Sequence, residues 1–350
     1  MNQLKHPIAS IPFDPEFKPG AHAAVTQCLR IQSDEKVTLI TDQACEEIAA
    51  SIANELDQND IEYNAFVLEE LAPRPLVNMP AEVLEDMESS EVSIFAVRAQ
   101  QNELGSRMQM TDVVNRRKMR HAHMVNIDRR IMLEGMRADY TEVDRISTQV
   151  WQMASTAREI RATNPAGTDI IGRFTPNYKW LKTSGIISPH KWGNLPGGET
   201  FTTPERVDGN FVIDGVVGDY LCEKYGDLGQ TPLTIVIEDS RLTTVHSANK
   251  ELEREFWQYC HTDENSDRVG EFAIGTNIAV RDVIGNILQD EKIPGIHIAF
   301  GNPYGAHTGA DWYSKTHIDV VGRHFDIWID GVQIMSRGAF LLDSLPAPAL

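Results

Sequence analysis

Val37-Thr38-Leu39-Ile40-Thr41-Asp42 is a short apolar run that ends in polar residues. A helical stretch follows from Ala44 to Asn59, in which Ile48, Ala49, Ile52, Ala53 and Leu56 recur near helical spacing. Ile61 to Leu68 reads as a second strand, Glu82 to Met87 as a helix, and Val92-Ser93-Ile94-Phe95-Ala96-Val97 as a third strand. Strand, helix and strand in that order predict a parallel sheet flanked by helices. No G-x-G-x-x-G fingerprint occurs, so nothing marks a nucleotide cofactor site.

Downstream lies a basic patch, Arg116, Arg117, Lys118 and Arg120, with His121 and His123 behind it. Read as helix, residues two apart point to different sides, so the two imidazoles are expected to be structural or solvated rather than joint metal ligands. A well-marked helix follows. Thr141 can cap it, Asp144 stands three residues on, and Val143, Ile146, Val150, Met153, Ala154 and Ala157 form its apolar stripe. It is expected to end near Ile160 and to link an N-terminal α/β domain, 1–140, to a C-terminal domain, 141–350.

Beyond Ile160 turn signals become dense: Asn164-Pro165-Ala166-Gly167, Pro196-Gly197-Gly198, Asp208-Gly209-Asn210, Asp214-Gly215 and Asp330-Gly331. Short β-rich runs lie between them, at Phe211 to Ile213, Leu233 to Glu238, Ile296 to Phe300, His317 to Val321 and Phe325 to Ile329. One helix interrupts them, roughly Ala248 to Cys260. The fold class expected is α/β: a parallel-sheet N-terminal domain followed by a sheet-rich α+β catalytic domain with hairpins.

The 350 residues carry 51 acidic against 32 basic side chains, a net charge of −19, which repels phosphate backbones and anionic membranes and so excludes nucleic-acid and membrane partners. Hydrophobic residues at 41% leave ample material for a core. Cys28, Cys45, Cys222 and Cys260 are scattered without a C-x-x-C pair, and Met1 to Pro7 has no apolar signal core, so the protein is expected to be cytoplasmic with reduced thiols.

Four segments of the second half carry chemistry. Asn194-Leu195-Pro196-Gly197-Gly198-Glu199 delivers a carboxylate at the mouth of a strand, after glycines that let backbone approach a ligand. Gly270-Glu271-Phe272-Ala273-Ile274-Gly275-Thr276-Asn277 sets an acid before an apolar stretch; such an acid is either paired or bound to a cation. In Ile296-His297-Ile298-Ala299-Phe300, the isoleucines and Phe300 share one face, while His297 takes the other beside small Ala299. Tyr304 follows in a glycine-bounded turn. His317 and Asp319, two apart on a strand, share a face and can hold one ion; a simple cross-strand pair, or an Asp that orients a His, is the competing reading. Two Glu, two His and an Asp exceed the usual ligand number of one catalytic zinc. They suit a pair of divalent ions roughly 3.5–4 Å apart that activates water against an amide or peptide bond.

In these motifs, together with Asp290-Glu291-Lys292-Ile293-Pro294-Gly295-Ile296-His297, the chain resembles the aminopeptidase T family of metallopeptidases, which includes aminopeptidase S. The resemblance covers roughly residues 120 to 340. It implies a two-domain, often dimeric, leucyl aminopeptidase-like enzyme acting on peptides or small amides with zinc, cobalt or manganese. It implies metal ligands at Glu199, Glu271, His297, His317 and Asp319 and an active-site tyrosine at Tyr304. Glu271 is ligand, general base or both. Arg161 and Gly167-Thr168-Asp169 are candidates for the substrate pocket or for a solvated turn. The chain is shorter than typical members in its N-terminal third and between Tyr304 and His317. A related branch of iron-dependent dioxygenases opens hydroxylated pyridine rings with a His/His/Asp triad, which His297, His317 and Asp319 would fit with Fe(II). Retention of Glu199 and Glu271 favours the two-metal hydrolase.

Overall fold

A computed structural model describes residues 7–189, 191–218 and 220–342. The N-terminal stretch Met1 to His6, read above for a signal core, lies outside the described residues. The protein is an α/β chain with one parallel and two antiparallel sheets. It divides into two compact units, Met1–Thr141 with Gly185–Gly197, and Glu142–Ser184 with Gly198–Leu350.

In the first unit the strands Lys36–Thr41, Glu62–Val67, Val92–Val97 and Arg120–Val125 run parallel, with Lys36–Thr41 between Glu62–Val67 and Val92–Val97; the short strand Gly193–Asn194 extends the edge beside Arg120–Val125. Val92–Val97 is buried along its whole length, as a strand covered on both faces must be. The helix Glu46–Gln58 buries the expected stripe, Ile48, Ala49, Ile52, Ala53 and Leu56.

Two expectations change here. Arg120–Val125 is a strand, not a helix, so His121 and His123 share a face after all. Both are buried. His121 Nδ1 meets the Ser93 hydroxyl at 2.8 Å and its Nε2 meets His123 Nδ1 at 3.2 Å. Burial, and then Arg107, pushes His123 down to about 3, so the pair is a neutral core element. The second change is a helix, Leu104–Arg117, where no element is expected; it buries only Ser106, Met110, Val113 and Val114, too few for a clear stripe.

Arg74 ties the C-terminal ends of this sheet together. Its guanidinium reaches Asp42 at 2.7 Å and Glu103 at 2.8 Å, and Asp42 also accepts the Arg98 amide at 2.9 Å. Arg74 is only 3% exposed, so its charge has no solvent to fall back on.

In the second unit the helix Tyr140–Ala154 stops six residues before Ile160, and Glu159–Thr163 is a strand that pairs with Asp169–Arg173 through the turn at Asn164 to Gly167. Its first turn is capped by Asp139, whose carboxylate accepts the Thr141 amide at 2.9 Å, rather than by Thr141. An eight-stranded antiparallel sheet is ordered Arg241–Ser247, Leu233–Glu238, Arg206–Ile213, Asp169–Arg173, Glu159–Thr163, Asp326–Ile329, Val332–Ser336 and Ala339–Phe340. A five-stranded antiparallel sheet is ordered His317–Val321, Gly295–Gly301, Val269–Gly275, Glu199–Thr202 and Leu181–Lys182. The two sheets share one apolar core, with Ile170, Phe211 and Ile235 from the larger and Phe272, Ile274, Ile298, Phe300 and Ile318 from the smaller, joined by Val150 and Phe256 from the helices. Among the described residues no helix is long and apolar enough to cross a membrane.

Replacing Arg74 with Met leaves Asp42 and Glu103 as uncompensated buried charges. The expected loss is about 3–5 kcal/mol of stability, read from chemical denaturation; a loss under about 1 kcal/mol would show that the network is not what holds this sheet end.

Candidate metal centre

Four adjacent strands of the five-stranded sheet each contribute to one constellation, and their register explains how. Glu271 lies opposite Ala299, and Ala299 opposite Asp319. His297 lies opposite Ala273, and Glu199 opposite Gly275. Directly opposed residues of an antiparallel pair point to the same side, so Glu199, Glu271, His297, His317 and Asp319 all project from one face. Alanine or glycine fills the positions between them. The other face belongs to the apolar core described above. The bulge at Gly270 fits the same demand: a Cβ there would meet the Gly301 carbonyl oxygen at 2.4 Å.

The side chains converge. His297 Nε2 lies 3.5 Å from Glu199 and 3.4 Å from Glu271; His317 Nε2 lies 3.8 Å from Glu271 and 3.4 Å from Asp319. Among the described residues three groupings bring ligand atoms within 4.8 Å of one another: Glu199 with Glu271 and His297, Glu271 with His317 and Asp319, and Glu291 with His297 and Asp319. Glu271 belongs to the first two. His297, His317 and Asp319, taken above as a possible iron triad, do not form one of these groupings.

Burial and charge explain the electrostatics. His317 donates its Nδ1–H to the Asn302 carbonyl at 2.9 Å, since a carbonyl can only accept, and so turns Nε2 toward the carboxylates. Burial alone would lower its pKa, but Asp319 and then Glu271 outweigh that and raise it to about 10. His297 is raised for the same reason by Glu271 and Glu199, against its own burial. Asp319 is held low, burial being outweighed by His317. His297 Nε2 is buried and has no hydrogen-bond partner, although two carboxylates surround it. A buried imidazole nitrogen without a hydrogen bond, facing two carboxylates at 3.4–3.5 Å, is a donor arrangement that a divalent ion would fit. The donor set, carboxylate oxygens with imidazole nitrogens, fits zinc, cobalt, manganese or iron.

Tyr304 comes to the same place. Its ring centroid is 4.4 Å from that of His317. Its backbone is left-handed, φ 49°, an uncommon conformation for a non-glycine residue, and its amide donates to Asn302 Oδ1 at 2.9 Å. Although the residue as a whole is 42% exposed, desolvation of its hydroxyl end, and then Glu271 and Asp319, raise that hydroxyl well above the ordinary range.

Three residues escaped the sequence reading. Lys292 is buried with its ammonium 2.8 Å from Glu199 Oε1 and in contact with Glu291. Thr183 donates to the same Glu199 oxygen at 2.8 Å. Glu291 is pushed up to about 8 by burial. Asp-Glu-Lys before Ile-Pro-Gly looks like an ordinary solvated turn, and only the fold turns it inward. Conversely, Arg161 and Asp169 pair with each other at 3.0 Å on neighbouring strands of the other, eight-stranded sheet, both about half exposed. Thr168 is buried and bonds the Val212 amide at 2.9 Å. These three therefore serve the larger sheet, not the constellation.

Comparison with known proteins gives a family and a fold. The family described as NicX: 2,5-dihydroxypyridine 5,6-dioxygenase matches residues 21–342. The structure of 2,5-dihydroxypyridine dioxygenase from Pseudomonas putida KT2440 is similar at 14% identity and a TM-score of 0.65, covering 94% of this chain and 98% of that one. Wild-type AmpT from Thermus thermophilus is similar at 17% identity and a TM-score of 0.66, covering 94% and 100%. At such identities the two structures share the fold. A search of curated proteins found no match.

Two outcomes are expected. Because the folded pKa of His317 lies above its free value of 6.5, its pairing stabilises the metal-free protein fully below pH 6.5 and is lost as pH rises toward 10. Thermal melts of chelator-treated protein should therefore weaken across that window. Saturating divalent ion, which binds neutral imidazole, should flatten the slope; an unchanged slope would detach His317 from the ion. Second, Ala299→Leu should weaken divalent-ion binding at least 10-fold in competition titrations while the protein stays folded, because the new side chain lies between Glu271 and Asp319.

Proposed function

The chain belongs to the NicX family, 2,5-dihydroxypyridine 5,6-dioxygenase; from the geometry of its own site we propose that it is a metal-dependent enzyme whose centre holds two divalent ions and cleaves an amide or peptide bond beside a free amino group. The observation that carries this reading is that Glu271 is shared by two ligand groupings, one with Glu199 and His297 and one with His317 and Asp319. A carboxylate common to two sets of donors is the arrangement that bridges a metal pair. The fold likeness to AmpT supports the same reading, as does the resemblance of the four motifs to aminopeptidase T enzymes.

When bound, the ions supply a polarised carbonyl and a water acidic enough to attack near neutral pH. The chain's own residues supply the rest. Glu199 and Asp319 sit at the two ends of the constellation, with Glu271 between them as shared ligand, base or both. His317 is fixed in one tautomer by Asn302, which keeps Nε2 available. Tyr304 keeps its proton and donates a hydrogen bond to the oxyanion that develops on the scissile carbonyl.

A second reading, opening of a hydroxylated pyridine ring with dioxygen at one Fe(II), is favoured by the family match. It asks for two imidazoles and one carboxylate on a single ion, whereas each grouping here offers one imidazole and two carboxylates.

Metal analysis and turnover separate the two. Chelator-treated protein should not hydrolyse aminoacyl-p-nitroanilides, and zinc, cobalt or manganese should restore hydrolysis with two ions per chain and no oxygen uptake. Glu199→Gln should cost one ion and about 100-fold in turnover. Tyr304→Phe should lower kcat about 100- to 1,000-fold at unchanged metal content. One iron per chain with oxygen consumption on a dihydroxypyridine would establish the second reading instead.

A further inference from the structure

Among the described residues Lys292 is the one lysine or arginine inside this constellation. Its side chain is 2% exposed. Its position is set by backbone: its amide donates to the Gln289 carbonyl at 2.8 Å and its carbonyl accepts the Asn277 amide at 3.0 Å, beside the end of the strand that carries Glu271. The ammonium reaches Glu199 Oε1, the oxygen that also accepts from Thr183. It also holds Glu291, the carboxylate next to it in sequence. The other Glu199 oxygen, Oε2, is the one that faces the orphaned His297 Nε2. Two donors therefore occupy one edge of the carboxylate and leave the other bare, on the side where His297 and Glu271 wait.

We propose that Lys292 is a positioning residue of the metal centre, which makes Glu199 a one-oxygen ligand of the ion it shares with Glu271 and His297 and keeps Glu291 out of the ligand set. This rests on the two-ion reading above. A freely rotating carboxylate can chelate through both oxygens; one whose Oε1 is bonded by an ammonium and a hydroxyl can offer only Oε2. Lys292 also holds Glu291 by direct contact; that carboxyl forms its own possible seat with His297 and Asp319 and would otherwise compete for the same imidazole.

The test is zinc content by mass spectrometry after dialysis, with affinities from competition against a chromophoric chelator, and folding followed by circular dichroism. Wild-type protein should hold two zinc ions per chain. Lys292→Met should weaken one of them 10- to 100-fold, the same ion that Glu199→Gln removes, and leave the other within 3-fold. The double variant Lys292→Met/Glu199→Gln should lose no more than Glu199→Gln alone, and Lys292→Arg should keep both ions. Thr183→Val, which removes only the neutral donor, should weaken the same ion by a few-fold and carries the test if Lys292→Met does not fold. Unchanged affinity in Lys292→Met or in Thr183→Val overturns the proposal, as does additive loss in the double variant. A rise from one zinc in the wild type to two in Lys292→Met overturns it too, by making the ammonium the occupant of an ion seat. A wild-type chain that binds one zinc and is indifferent to Glu199→Gln removes the two-ion reading itself, whatever Lys292 does.

Discussion

Charge taken out of water must be answered by opposite charge or by hydrogen bonds, and in the second unit that demand is concentrated on one sheet face. Glu199, Glu271, Glu291 and Asp319 meet there with one ammonium and two imidazoles. An uncompensated buried carboxylate costs several kcal/mol, so the face is stable only if protons or cations are supplied. The carboxylates raise both imidazoles against the lowering effect of their own burial, so without an ion this face favours the protonated imidazoles. The same two nitrogens must surrender those protons to bind an ion. Histidine protonation and metal loading are thus two settlements of one electrostatic debt, and the sheet is built so that either can be made.

The strand period does the sorting. Along Gly295–Gly301, Ile296, Ile298 and Phe300 enter the apolar core while His297 faces the constellation. The neighbouring strands keep step, so a two-residue alternation becomes a two-sided sheet. This part of the molecule could be read from sequence, because alternation survives in a single chain and because His317 and Asp319 are two apart. The parallel sheet was equally readable in Val37 to Thr41 and Val92 to Val97, whose apolar runs are what burial on both faces requires.

What could not be read has physical causes. Arg120–Val125 hides as a strand because its charged flank and its two histidines mask the apolar signal; the fold buries those imidazoles by letting them bond each other and Ser93. The helix Leu104–Arg117 lacks an apolar stripe, and it stops at Lys118 in a left-handed conformation without the glycine that usually marks such an end. The continuation of the helix Tyr140–Ala154 to Ile160 failed because Ile160 and Ala162 are apolar at strand spacing as well. Lys292 and Glu291 stand in a quoted motif but had no role to read there, because nothing in a polar turn sequence says which way it faces.

The small residues between the ligands have a consequence of their own. Ala273, Gly275, Ala299 and Gly301 make the constellation a trough lined by replaceable pegs, each peg anchored on a strand whose opposite side is locked in the core. Exchanging one peg, a glutamate for a histidine or the reverse, would alter which ion is held and how many without moving a single core contact. That decoupling lets the donors change on one side of four strands while the other side keeps the architecture constant.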